Sequence, residues 1–469
     1  MAILKPISLP DVKLTRDLDA IDPFDGRYYE PEVAKYLSER SRISYQAYVE
    51  AALAQTLADF RICSRAVANN IESAARKVTA ESVYEEEKTT RHDIKALVNC
   101  IKSYCNDSAK PYVHFGATSY DIIASANALQ MRDVVNGLVI PRLRLLNQTL
   151  IELCERYAKT PQIGRTHGQH ALPITFGFAM AEYVSRLGDS TLAIKDLTKQ
   201  LPGKFSGAVG AYNALSLFTE NPLKFEKKVL AYVGLKPAIY STQITPPEYM
   251  IRLLDEMTIA AGVMANLAHD MRHLQRSEIA EVREAFAAGQ TGSSTMAHKR
   301  NPWNFENIIS LHKQMLAQMV NANLNISSEH QRDLTDSAAS RFYGLVPAGL
   351  VSMATRLNKV MKVLEVDAET MARNLTQSGG AVAAEPLYLL LEKFGHIQAH
   401  EKSKILAHKA LDEGLPLIRV IEADKEAFAY WNKFTVAQKQ IVTNPEKYYT
   451  GLAAQRALQI TKLYKSASK

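Results

Sequence analysis

The sequence predicts an all-α protein built around a central bundle of long helices, and three observations predict it. Apolar residues recur at helical spacing over segments far longer than the usual globular helix of roughly 11–12 residues. No proline interrupts the chain from Glu248 to Asn301. Strand-like alternation is weak throughout, so periodicity of 3.6 rather than 2 sets the architecture.

Taken in order, a polar, proline-containing entry (1–31) precedes the first helices, and the loop-like DSAKPYVHFGATSY at 107–120 breaks the helical pattern. From Asp121 to about Tyr157, Ile122, Ala126, Leu129, Val134, Leu138, Leu145, Leu150 and Leu153 follow a helical repeat, with a kink expected at Pro141. Segments 174–200, 303–328 and 338–372 are apolar at the same spacing. Between them, Leu253, Met257, Ala260, Met264, Leu267, Met271 and Leu274 alternate steps of four and three, a heptad seam. Helices this long pack side by side, and a seam of this length is expected to continue across subunits. A glycine-rich patch, QSGGAVAAEP at 377–386, closes the pattern. The breaks divide the chain into an N-terminal helical part (1–117), a central bundle (118–368) and a C-terminal helical part (369–469).

Composition bounds the function. The chain has 469 residues, 47% of them hydrophobic, enough for a large core. Its 56 Lys and Arg against 49 Asp and Glu give +7, spread too evenly for a nucleic-acid-binding tail and better matched to small anionic ligands. Cys63, Cys100, Cys105 and Cys154 fit no zinc or redox spacing and read as buried, reduced thiols. The opening MAILKPISLPDVK lacks the apolar run of a signal peptide, and no stretch is long enough to cross a membrane. A soluble cytoplasmic protein is expected.

Four polar islands interrupt the helices. KTTRHD (88–93) is accounted for by a charged helix start with Thr89 or Thr90 as cap. In VHFGATSYD (113–121), Thr118 or Ser119 caps the helix that begins near Asp121, and such a start also aims free N–H groups at any carboxylate. IGRTHGQHALP (163–173) holds His167 and His170, but no further ligands for a metal; a histidine among Arg165, Thr166 and Gln169 suits proton transfer. TGSSTMAHKRNPWNFEN (291–307) joins small residues, Lys299, Arg300 and an Asn-Pro stop, the composition of a lid over an anionic substrate; a solvated basic connection is the plainer alternative.

GSSTMAHKRNP resembles the signature loop of the fumarase/aspartase superfamily, except that Ala297 stands where the pattern has proline, which removes a restriction on the loop backbone. Within that superfamily, DGRYY (25–29), TRHD (90–93), HFGATSYD (114–121), GRTHGQHA (164–171), STQ (241–243), HKRNP (298–302) and RDLTDSAASR (332–341) resemble the adenylosuccinate lyase family in its order. The resemblance implies an elongated three-domain subunit, a homotetramer with a twenty-helix core, and active sites shared between subunits. It also implies β-elimination of fumarate from adenylosuccinate, giving AMP, and from succinyl-aminoimidazole-carboxamide ribotide, with no cofactor and no metal, and with neither nucleic acid nor membrane as partner.

On these residues the resemblance makes Ser294 the base, with Ser293 its adjacent rival. Lys299 and Asn301 hold the carboxylate that accepts charge, and His167 protonates the leaving nitrogen, oriented by Glu306. His92, His114, Thr118 and Ser119 lie around the succinyl carboxylates, Gln243 lies beside the substrate, and Arg91, Asp93, Thr166 and Ser293 are further substrate-binding residues. Arg27, Tyr28, Arg332, Ser337 and Arg341 contact the phosphate and nucleotide, where arginine's planar fork suits two bonds. Two alternatives stand beside this reading: a carboxymuconate cycloisomerase of the same superfamily, and a non-catalytic helical scaffold.

Overall fold

The computed structural model describes residues 3–5, 7–9, 11–12, 19–286, 289, 295–296 and 298–467. The fold is all-α. The long helices of its central part are α1 (Ser119–Val134), α2 (Ile140–Arg156), α3 (Phe176–Thr198), α4 (Glu248–Leu274), α5 (Trp303–Leu324) and α6 (Leu345–Lys362).

Just before Pro141, where the sequence predicts a kink, the chain leaves regular α-helical winding. Val135–Val139 makes one π-helical turn between α1 and α2. Proline has no N–H to donate and its ring crowds the carbonyl one turn back, so a locally widened helix lets the chain run on. Of the eight residues read as the apolar face here, seven are buried and only Leu145 is exposed. The heptad seam of α4 is likewise buried from Leu253 to Met271, with Leu274 half-buried at the helix end.

Strands are few but consequential. Among the described residues, β1 (Pro161–Thr166) pairs antiparallel with β2 (Gln169–Thr175), and β3 (Val282–Arg283) pairs antiparallel with β4 (Glu365–Val366). The first pair falls where the sequence suggested only a loop. Its register shifts between Ile163 and Arg165, around Gly164, which breaks the alternation by which a strand is recognised.

The chain forms two compact units: Met1–Leu143, Ser190–Gly262 and Ser310–Ala354 in one, and Arg144–Asp189, Val263–Ile309 and Thr355–Lys469 in the other. In the first, the helix Glu39–Asp59 is buried at every residue from Tyr45 to Leu57, as a helix at the centre of a core must be. The second contains both strand pairs, the helix α7 (Ala368–Thr376), and a C-terminal apolar cluster that includes Leu387, Leu406, Val420, Ile421 and Trp431. All four cysteines are free thiols; Cys63 is half-buried and the others are buried, with burial pushing Cys154 up to about 12.

Candidate active site

In the first unit, two helix junctions and one irregular segment place the predicted binding residues. Arg91 ends the helix Ala80–Thr90 in the left-handed region (φ 49°), and His92 begins the next, Asp93–Ser103, its Nδ1 accepting from Lys95 N at 3.4 Å. Asp93 sits 3.8 Å from the guanidinium of Arg341. Thr118 caps α1, its N–H donating to Asp121 at 2.9 Å, and Ser119 is the first helical residue.

Arg332 is the centre of this group. Its guanidinium lies 3.8 Å from the centroid of the Tyr120 ring, and it donates to the Tyr120 hydroxyl, to Asp336 at 2.9 Å and to Gln243 Oε1 at 3.4 Å. Its Nε is buried without a hydrogen-bond partner. A buried N–H left unmatched in an otherwise satisfied cluster is costly. Gln243 is held there by its own N–H donating to Gln331 O at 3.2 Å. The close approach at Gly210, where a Cβ would stand 1.9 Å from Ser241 O, fixes the segment just before it. Ser337 and Arg341 are exposed. Arg27 and Tyr28 lie on a separate turn, with Tyr28 N donating to Pro23 O at 2.7 Å.

His114 has a partner that the sequence did not reveal. Its Nδ1 lies 2.6 Å from the fully buried carboxylate of Glu50. Burial disfavours the imidazolium, but Glu50, its hydrogen bond and Asp121 outweigh it, and the His114 pKa stands above its ordinary value. Beneath the Thr118 turn, Asp121 accepts from Lys204 Nζ at 2.5 Å and from the N–H groups of Ser206 and Gly207 at 3.1 and 3.2 Å, a wholly buried ion pair.

In the second unit, His167 stands at the tip of the β1–β2 hairpin. Thr166 pairs with Gln169, leaving a two-residue turn of His167 (φ 53°) and Gly168 (φ 75°). Positive φ at both positions is the mark of the primed turns that match strand twist. His170, on β2, has its pKa lowered by burial and by Arg165. Lys299 N donates to Met296 O at 3.0 Å, and Glu306, in the first turn of α5, pairs with Arg272 at 3.2 Å. Among the described residues, His167 and Glu306 share no hydrogen bond. Ser293, Ser294 and Ala297 lie outside the described residues.

Both ends of the signature segment are nonetheless anchored. Glu284 is fully buried and accepts from Asn304 N at 3.0 Å, Asn304 Nδ2 at 2.6 Å and Phe305 N at 3.0 Å, so it satisfies the free N–H groups at the start of α5. Gln275 accepts from Glu284 N at 2.9 Å and donates to Arg300 O at 3.1 Å, touching the segment as it leaves and as it returns.

Backbone strain marks the same places. Eight described non-glycine residues have positive φ, and four of them, Arg91, His114, His167 and Arg332, are residues singled out from the sequence. Such conformations cost energy and persist where the surroundings hold them, commonly at functional sites.

Comparison with known proteins decides the family. The family described as Lyase matches residues 27–317, and the one described as Adenylosuccinate lyase C-terminal matches 328–427. An adenylosuccinate lyase of Pyrococcus abyssi is 36% identical over 419 residues, covering 88% of this chain and 92% of the relative. The chain belongs to the adenylosuccinate lyase family. Another family member, from Methanocaldococcus jannaschii, is 32% identical over 454 residues, covering 95% of this chain and 96% of the relative. The fold extends beyond the family: the 3-carboxy-cis,cis-muconate lactonizing enzyme of Pseudomonas putida superposes with a TM-score of 0.84 at 25% identity, covering 95% of this chain and 99% of that one. The higher identity to adenylosuccinate lyases leaves the cycloisomerase alternative unfavoured.

Sequence reasoning missed Glu50, Tyr120, Asp121, Lys204, Gln275, Glu281 and Glu284. A signal was present for some of them. In EIAEVRE three glutamates stand at steps of three, of which Glu281 and Glu284 are set close to Ile, Ala and Val and are buried, and in GKFSGAVGAY a lysine stands in a run of small and apolar residues. Charged groups in such settings are buried and paired, or absent.

Proposed function

We propose that this chain catalyses the β-elimination of fumarate from adenylosuccinate, leaving AMP, and the same step on succinyl-aminoimidazole-carboxamide ribotide. The observation that carries the reading is the match to adenylosuccinate lyases over most of the chain, in which Arg332, Gln243 and Asp336 are brought into one cluster.

The chemistry removes a proton next to a carboxylate and then breaks a C–N bond. The carbanion adds charge to a group already negative, so fixed donors must stabilise the aci-carboxylate, each worth about 3 kcal/mol. Lys299 and Asn301 take that role. Ser294 is the base, with Ser293 as its rival. His167 gives a proton to the leaving nitrogen, and the turn that holds it presents the imidazole at a hairpin tip. Glu306 orients that imidazole from another subunit, since within one chain it pairs with Arg272. His92, His114, Thr118 and Ser119 receive the succinyl carboxylates, Gln243 lies beside the substrate, Arg91, Asp93 and Thr166 add further substrate contacts, and Arg27, Tyr28, Arg332, Ser337 and Arg341 take the phosphate and nucleotide.

A homotetramer with shared sites follows from the same reading. On α5, Leu316, Val320 and Leu324 are exposed at successive steps of four, a stripe suited to another copy of the bundle. The three-part division at 117 and 368 belongs to this proposal too. So does a cytoplasmic location, consistent with the fact that no described helix is long and apolar enough to cross a membrane. The test is turnover: purified protein should release fumarate from both substrates, and release from neither would refute the reading.

A further inference from the structure

Glu281 is the most completely satisfied charged group in the second unit that the proposed mechanism does not use. Its side chain is fully buried. Oε1 accepts from Arg165 Nη2 at 2.6 Å and from Asn374 Nδ2 at 2.9 Å; Oε2 accepts from Gln162 Nε2 at 2.8 Å and from Arg165 Nη1 at 3.3 Å. The donors come from two elements: Gln162 and Arg165 from β1, and Asn374 from α7. The backbone of Glu281 is fixed as well, its N–H donating to Leu274 O at 2.9 Å and its carbonyl accepting from Asp367 N at 3.0 Å. It follows Ala280, which is held at φ 52°, and precedes β3 directly.

We infer that Glu281 is a positioning residue for the reaction, fixing the hairpin that carries His167 through a two-bond ion pair with Arg165. The inference rests on His167 being the proton donor. Arg165 stands two residues before His167 and pairs with His170 across the strands, so it is the last fixed side chain before the turn. The turn itself is short and has positive φ at both residues, leaving it no internal freedom to correct a displaced strand. A planar guanidinium gripped at both nitrogens fixes direction as well as distance, which a single bond does not. Asn374, by contrast, ties the same carboxylate to α7, and its second bond, to Ile279 O at 2.7 Å, leads away from the hairpin. The two arms of Glu281 can therefore be separated: one holds the hairpin and the other only the fold.

The experiment compares kcat, KM and melting temperature in Glu281→Gln, Arg165→Lys, the double variant Arg165→Gln/Glu281→Gln, and Asn374→Ala, with adenylosuccinate as substrate and the full chain as purified. Displacement of a catalytic group by about 1 Å costs on the order of 100-fold in rate. Glu281→Gln and Arg165→Lys should each lose on the order of 10- to 100-fold in kcat with KM little changed, and the double variant should be no worse than either single variant. Asn374→Ala should lower the melting temperature while keeping kcat. Should Glu281→Gln not fold, Arg165→Lys against Asn374→Ala carries the same contrast. Loss of kcat in proportion to loss of melting temperature across all variants, or normal kcat in Arg165→Lys, overturns the inference. His167→Ala is the control for the reading beneath it: an active His167→Ala refutes the proton donor itself, whereas an inactive one beside a normal Arg165→Lys refutes only the role of Glu281.

Discussion

Glu50 and His114 meet at 2.6 Å, a fully buried carboxylate against an imidazole held at φ 62°. The His114 pKa is raised above its ordinary 6.5 in the fold. A histidine with a raised folded pKa binds its proton more tightly folded than unfolded. Its contribution to stability is thus complete below about pH 6.5 and fades as pH rises through the folded value. The gap in urea midpoint between wild type and His114→Gln should be widest near pH 5.5 and narrow toward about pH 8.5. A gap that widens with pH would mean that the charged pair is not what holds this turn.

The Asp121–Lys204 pair sits under the Thr118 cap, both side chains at 0% exposure. Lys204→Met leaves the carboxylate buried without its cation and should cost about 3–5 kcal/mol, with part of the loss recovered in Lys204→Met/Asp121→Asn. Urea unfolding of the single and double variants measures this. A single variant as stable as wild type would contradict the expected cost of breaking the buried pair.

At the other end of the signature segment, Glu284→Ala removes the acceptor for Asn304 N and Phe305 N, leaving N–H groups of a helix start unmatched. The expected cost is about 1–3 kcal/mol. Activity should fall as well, because Asn301 and Glu306 flank this start. Thermal melts and steady-state rates on the same preparation would separate the two effects.

How far the sequence carried this account depends on the kind of feature. The α4 seam and the α1–α2 face were legible because burial repeats with the helical period, and Leu253, Met264 and Ile122 are all buried as that period requires. His114 and His167 were legible in islands because polar, glycine-containing runs between long helices have no packing role, whereas Arg91 lay in an island that a charged helix start accounts for and Arg332 entered only through the family resemblance. The β1–β2 hairpin was not legible, since Gly164 and Pro173 break its alternation and the register shifts between Ile163 and Arg165. Nor were the buried partners. Glu50 lies 64 residues from His114, and Glu281 lies 116 from Arg165, separations that no local pattern spans.

Ser294 is asked to act only in the proton-abstraction step. Ser294→Ala should abolish turnover while substrate binding and assembly stay nearly intact. Single-turnover kinetics with binding measured by calorimetry will show it. Full activity in Ser294→Ala beside an inactive Ser293→Ala would move the base by one residue.

If each site draws on several subunits, inactive His167→Ala and inactive Ser294→Ala proteins should regain activity when mixed under conditions of subunit exchange. Mixed assemblies would then contain intact sites. Continued inactivity, with exchange confirmed by mass, would place both residues in one chain's site.

The central claim is that this fold acts on adenylosuccinate rather than on a carboxymuconate. One measurement compares kcat/KM for fumarate release from adenylosuccinate with kcat/KM for lactone formation from 3-carboxy-cis,cis-muconate, using the same purified protein. The account predicts turnover of the first, with AMP formed mole for mole with fumarate, and none of the second. Turnover of the muconate without fumarate release from adenylosuccinate would contradict it.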